Sequence, residues 1–193
     1  MDTFILYFKM GFYHVLDFSA FDHVLFLIVL AVVFNFNQQR KVFWLITLFT
    51  IGHSITLSLS AFGFLTAPSK LIEFLIPVTI LLTGCINVFR AKKAASGKES
   101  INLVFALFFG LIHGLGFSTY FKMMVSKDED KIMPLLEFAL GIEVSQIIIV
   151  FAVLVLGSLL NFFTRVSKRD WILVASSIVI GISLQMMLER IYW

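Results

Sequence analysis

Hydrophobic residues run along this chain in blocks too long for the strands or core helices of a soluble domain. A spanning helix needs about 20 mostly apolar residues. Blocks of that kind fall near Asp22–Phe36, Val42–Phe64, Leu71–Arg90, Ile101–Met124, Pro134–Phe163 and Trp171–Arg190. The first is short and is expected to extend back through Phe18. Residues 3–16 are also apolar, but Lys9 and His14 interrupt them, so they read as an interfacial or half-inserted helix. The pattern predicts an all-α fold, a polytopic transmembrane helical bundle forming one domain over residues 1–193. It has six spans plus the N-terminal helix, or seven spans if residues 3–16 also cross.

The polar positions inside these blocks are few and of one kind. The stretch His14-Val-Leu-Asp17-Phe-Ser-Ala-Phe-Asp22-His23 brings two histidines and two carboxylates to the front of the first span. Later blocks return His53-Ser54, His113, Glu143 and Gln146. All four histidines of the chain lie within or at the edge of a membrane-length segment. At 1.5 Å per residue, His53 lies roughly 16 Å into its span, His113 roughly 18 Å and Glu143 roughly 14 Å. All three are therefore expected near the bilayer midplane, with Asp22 and His23 at the mouth of the first span.

A charge at the bilayer centre costs about 2.5–3.5 kcal/mol, so such residues face the bundle interior and mark ion pathways, proton relays or metal sites. Local spacing gives each helix one inward face. His53 and Thr56 are three apart, as are Glu143 and Gln146. In the third span Glu73, Pro77, Ile80, Thr83 and Asn87 form a stripe. Pro77 lacks an N–H and is expected to kink its helix or free a carbonyl. Gly110, Gly114 and Gly116 leave little bulk around His113, which suits close helix approach or room for a ligand.

Composition agrees with the pattern. Of 193 residues, 60% are hydrophobic and 14% charged, and the mean hydropathy is +0.98. A soluble domain carries roughly 25% charged residues. The lone Cys85 excludes an internal disulfide and a cysteine-rich metal cluster. The net charge of +3 is ordinary for a membrane protein and points to no nucleic acid. The N-terminal stretch lacks a basic n-region and a small-residue cleavage site, so no cleaved signal peptide is expected. Basic residues orient the bundle. Nine fall after the first, third and fifth spans (Arg40, Lys41, Arg90, Lys92, Lys93, Lys98, Arg165, Lys168, Arg169), against six on the other side. The nine-charge side is expected in the cytoplasm, so that His14–His23, the 65–70 loop and the 125–133 loop face outward.

Each polar group also has a plain structural reading. Asp22-His23 with His14 could cap a helix. His53-Ser54 could be an interhelical hydrogen-bond pair, worth only about 0.6 kcal/mol on average. Glu143 could sit protonated against Gln146. Glu73 could snorkel, Asp17 could be a turn residue, and Asp128, Glu129 and Asp130 a solvated loop. Four histidines and a buried glutamate on separate spans favour a metal site over such coincidences. The candidate ligands are His14, Asp22, His23, His53, His113 and Glu143, supported by Ser54, Gln146 and Glu73. Imidazole with carboxylate suits several divalent ions and does not choose among them.

The segments Gly11-Phe-Tyr-His14, Asp22-His23-Val-Leu-Phe-Leu, Phe49-Thr-Ile-Gly-His53-Ser54-Ile-Thr56-Leu, Phe109-Gly-Leu-Ile-His113-Gly-Leu-Gly-Phe117 and Gly141-Ile-Glu143-Val-Ser-Gln146 resemble, in that order, the HupE/UreJ family of small polytopic membrane proteins. The resemblance implies a nickel or cobalt permease in the cytoplasmic (inner) membrane. The family's early motif has five residues between its histidine and its Asp-His, whereas seven separate His14 from Asp22 here. A second reading is an intramembrane zinc-type hydrolase, in which three protein ligands and a water make a nucleophile, with Glu143 as base or Ser54 polarising a carbonyl. The nearly apolar inner halves of the second and fourth spans, Phe43–Phe49 and Leu103–Phe109, favour that reading. The expected partners are a divalent metal ion (Ni, Co or Zn) and the lipid bilayer. Assembly as a homo-oligomer or within a membrane complex stays open.

Overall fold

The computed structural model of the protein describes residues 2–17, 22–92, 100–125 and 131–191. The extension of the first span to Phe18, the basic residues Lys93, Lys98 and Lys127, and the acidic cluster at 128–130 lie outside the described residues. Within them, all regular structure is helical: α1 Asp2–Val15, α2 Asp22–Ala31, α3 Gln39–Ala61, α4 Ser69–Arg90, α5 Ser100–Met124, α6 Ile132–Thr164 and α7 Lys168–Glu189, with a 3-10 turn at Phe36–Gln38 before α3. The chain is a polytopic transmembrane helical bundle. Five of its helices, α3 to α7, are long and apolar enough to cross a bilayer.

The burial pattern inverts that of a soluble domain. Ile51, Ile55, Leu82, Ile147, Ile148 and Ile178 are exposed, whereas Thr50, His53, Asn87, His113, Ser145 and Gln146 are buried. Lipid is as apolar as leucine, so polar groups turn inward and find one another. The α4 stripe behaves this way, with Pro77, Ile80, Thr83 and Asn87 buried. Thr79 and Thr83 bond back to the carbonyls of Ile76 and Thr79.

The expected first span is a ten-residue helix, about 15 Å long, continued by a buried turn at Val32–Phe34. A helix that stops inside the bundle leaves its last carbonyls without partners. They are satisfied here by the Val32 and Phe34 N–H groups, which bond Ile28 and Ala31, and by the buried Asn87 amide, which donates to the Val29 carbonyl at 2.6 Å. Other ends are closed conventionally. Gly63 takes a left-handed φ of 83° after α3, its N–H bonds the Ser60 carbonyl, and the Phe64 N–H bonds that of Leu59, the two bonds of a Schellman cap. Ser167 caps α7 by accepting the Asp170 N–H.

Two backbone-tight seams assemble the helices. α3 and α5 run parallel in the most extensive contact of the bundle. A Cβ on Gly110 would strike the Phe49 carbonyl, one on Gly114 the His53 carbonyl, and one on Gly52 the Leu107 carbonyl. α1 runs antiparallel along α6, with Gly11 on the Phe138 carbonyl and Gly141 on the Phe8 carbonyl. α1 therefore stands lengthwise against a spanning helix. α4 pairs with α7, and α2 lies between α4, α6 and α7.

Candidate functional site

The four histidines meet where these elements converge. His14 sits in the last turn of α1, Asp22 and His23 open α2, and His53 and His113 stand on α3 and α5. The His14 ring lies 4.6 Å from that of His23 and 6.0 Å from that of His53. The rings of His23 and His53 are 6.3 Å apart, and those of His23 and His113 4.8 Å. One ring nitrogen each from His14, His23 and His53 lies within 4.8 Å of the other two. The seven-residue spacing between His14 and Asp22 thus leaves His14 beside His23.

Asp22 organises the cluster. Its Oδ1 accepts the His23 backbone N–H at 3.0 Å and stands 3.1 Å from His23 Nδ1. A carboxylate only accepts, so Nδ1 carries the proton and Nε2 is left with a lone pair. This is the arrangement by which a carboxylate orients a metal-ligating imidazole. His23 Nε2, His14 Nε2 and both ring nitrogens of His53 and His113 are buried with no hydrogen-bond partner among the described residues. Burying one polar atom unpaired costs about 1–3 kcal/mol. A neutral ring keeps one nitrogen with a lone pair, so the four buried rings offer up to four imidazole ligands to a cation. Metal–nitrogen bonds are about 2.0–2.1 Å, so nitrogens within 4.8 Å of one another need to close by roughly an ångström.

A family model described as HupE / UreJ protein matches residues 1–190, essentially the whole chain. The chain belongs to the HupE/UreJ family. That family is associated with nickel and cobalt transport. No curated protein and no solved structure matches the chain.

In this HupE/UreJ protein His14, His23 and His113 floor a cavity of about 240 Å³, whose rim is formed by Glu73 and Arg190. Arg190 Nη1 lies 3.4 Å from Asp22 Oδ2 and donates to the Glu73 carbonyl at 3.1 Å. That carbonyl is free because Pro77, four residues on, has no N–H to offer it. His14 and Phe117 also border a second, larger groove of about 1040 Å³ between α1 and α5, walled by Leu6, Met10, Tyr13 and Tyr120.

The remaining predicted residues lie away from the rings. Glu143 accepts a hydrogen bond from Thr47 at 2.8 Å, and Gln146 one from Thr50 at 3.2 Å. Thr50 and Thr47 precede His53 by roughly 4.5 and 9 Å along α3. These pairs form a separate polar layer on the side of the histidines towards the α6–α7 loop. Ser54 points roughly 100° away from His53 round the helix and is half-buried.

Two features of the HupE/UreJ site escaped the sequence reading. The first is Arg190, which stood only as a loop charge. The second is a wall of phenyl rings. Phe117 packs 4.0 Å from His14, and Phe49 and Phe26 pack 5.4 and 5.5 Å from His113. Phe138 stacks on Phe117 at 4.8 Å. A signal for the wall was present: Phe26, Phe49 and Phe117 stand three or four residues from His23, His53 and His113, on the same helix faces.

Proposed function

We propose that this protein is a permease for a divalent cation of the nickel or cobalt type, in the cytoplasmic membrane. The observation that carries the reading is the convergence of all four histidines, from four helices, each with a buried and unpartnered ring nitrogen, three of them (His14, His23 and His113) lining one cavity. The cation enters past Glu73 and Asp22. His14, His23, His53 and His113 ligate it in place of water, with Asp22 orienting His23. The Glu143–Thr47 and Gln146–Thr50 pairs supply the next oxygens along the bundle, in a region that the sequence alone left apolar. The basic-residue bias puts the cavity on the outer face and the second polar layer towards the cytoplasm.

Transport requires that binding be strong enough to load and weak enough to release. Purified protein is therefore expected to take up Ni²⁺ or Co²⁺ reversibly, measured by calorimetry, and to carry it into proteoliposomes. His53→Ala and His113→Ala should each abolish stoichiometric binding and uptake while leaving the detergent-solubilised fold intact. Full metal binding by both variants would sink this site.

A second reading, a zinc-type intramembrane hydrolase, draws on the apolar groove that reaches His14. In that case one zinc per chain should resist chelators, and no flux should be seen in the same proteoliposomes.

A further inference from the structure

The position of Arg190 bears on how the cavity is loaded, an inference that rests on the cation-binding reading above. Arg190 follows the last residue of α7, yet its guanidinium reaches back into the cavity that His14, His23 and His113 floor. One nitrogen, Nη1, faces both Asp22 Oδ2 at 3.4 Å and the Glu73 carbonyl at 3.1 Å. The other oxygen of Asp22 is committed to His23. Arg190 therefore sits on the second carboxylate oxygen of Asp22, in the cavity that a cation enters past Glu73 and Asp22.

The side chain is built to hold that place and to leave it. Its second anchor exists because Pro77 frees the Glu73 carbonyl, so the guanidinium is aimed from α4 as well as from α2. Its side chain is 27% exposed against 9% for Asp22, and a pair with one partner in solvent is weak and exchangeable. A divalent ion on the imidazoles would lie close to a fixed positive charge if Arg190 stayed, and repulsion between like charges at such a range is substantial in a low-dielectric site.

We propose that Arg190 is a tethered counter-ion of Asp22 that an incoming divalent cation displaces, so that its charge opposes loading and sets the apparent affinity of the site. The opposing role is a staple, in which Arg190 merely orders Asp22 for the metal. The two roles predict opposite signs. If Arg190 competes, Arg190→Gln tightens Co²⁺ binding by about fivefold, the scale of a part-exposed ion pair, and Arg190→Lys stays near wild type. If it staples, Arg190→Gln weakens binding.

The measurement is Co²⁺ calorimetry on the full chain in detergent, with the same pair of variants repeated on Asp22→Asn. Competition for Asp22 requires that Arg190→Gln lose its effect on that background. Tighter binding that disappears with Asp22→Asn supports the proposal. Weaker or unchanged binding by Arg190→Gln, with wild type binding normally, overturns it and leaves the permease reading standing. Should Arg190→Gln fail to fold, Arg190→Met in the same assay carries the same sign test. Absence of Co²⁺ binding by wild type overturns both readings together.

Discussion

At the scale of single residues, the site is defined by which ring nitrogens hold lone pairs. Asp22 fixes His23 with Nε2 free, and any imidazole that binds a proton ceases to be a ligand. Protons and metal thus compete, and affinity is lost as pH falls. Co²⁺ affinity in wild type, measured by calorimetry, should fall on acidification once the pH reaches the range in which these buried imidazoles take up protons. Affinity that rises on acidification would exclude imidazole ligation. The histidines were legible in the sequence because an ionisable group in an apolar run is expensive and has few uses. Arg190 was not legible, since its carboxylate partner lies 168 positions away and a terminal arginine otherwise reads as a loop charge. Counting residues put Glu143 level with His53 and His113, whereas its carboxylate meets Thr47, about two turns before His53 on α3. That its carboxylate meets Thr47 depends on how α6 rotates against α3, which no spacing rule supplies.

At the scale of helices, the glycine seam brings the backbones of α3, which carries His53, and α5, which carries His113, into close contact. Gly114→Val would drive a side chain into the His53 carbonyl and Thr56 Oγ1. Overpacking of this kind costs about 1–3 kcal/mol, and the helices must part to relieve it. Thermal unfolding in detergent should show the loss of stability, and Co²⁺ affinity should fall with it because α3 carries His53 and α5 carries His113, so parting them disturbs the cluster. Retained affinity with lowered stability would show that the seam holds the fold without tuning the site. The glycines around His113 announced close packing in the sequence. That the partner would be α3, in parallel, did not follow from them. The long helices were recovered to within about three residues because hydropathy alone defines them. α2 was overestimated, because its apolar run continues through Val32–Phe34 after the helix has ended. What ends it is an amide on α4, since the Asn87 bond to Val29 stands in for the missing turn.

At the scale of the whole molecule, the bundle has two unlike ends. One holds the cavity, Glu73 and Arg190, while the other carries Arg40, Lys41, Arg165, Lys168 and Arg169. By the positive-inside rule the cavity is expected outside. In a Cys85→Ser background, Thr66→Cys should react with a membrane-impermeant maleimide on intact cells. Asn37→Cys should react only after lysis, since both positions are exposed and lie at opposite ends. Labelling in the reverse order would turn the proposed direction of loading round.

The phenyl rings behind the imidazoles have a further consequence, which concerns hydration. At about 30 Å³ per water molecule, the cavity of about 240 Å³ has room for a cation with its whole first shell of six. Beyond it Phe26, Phe49, Phe117 and Phe138 offer no group that could hold water. A cation admitted as an aquo complex would therefore have to shed its shell at the histidines themselves. Ions that exchange oxygen for nitrogen willingly meet a ready replacement there. Magnesium, which keeps its water and prefers oxygen, meets a dry wall, so selection by reluctance to dehydrate would need no separate filter.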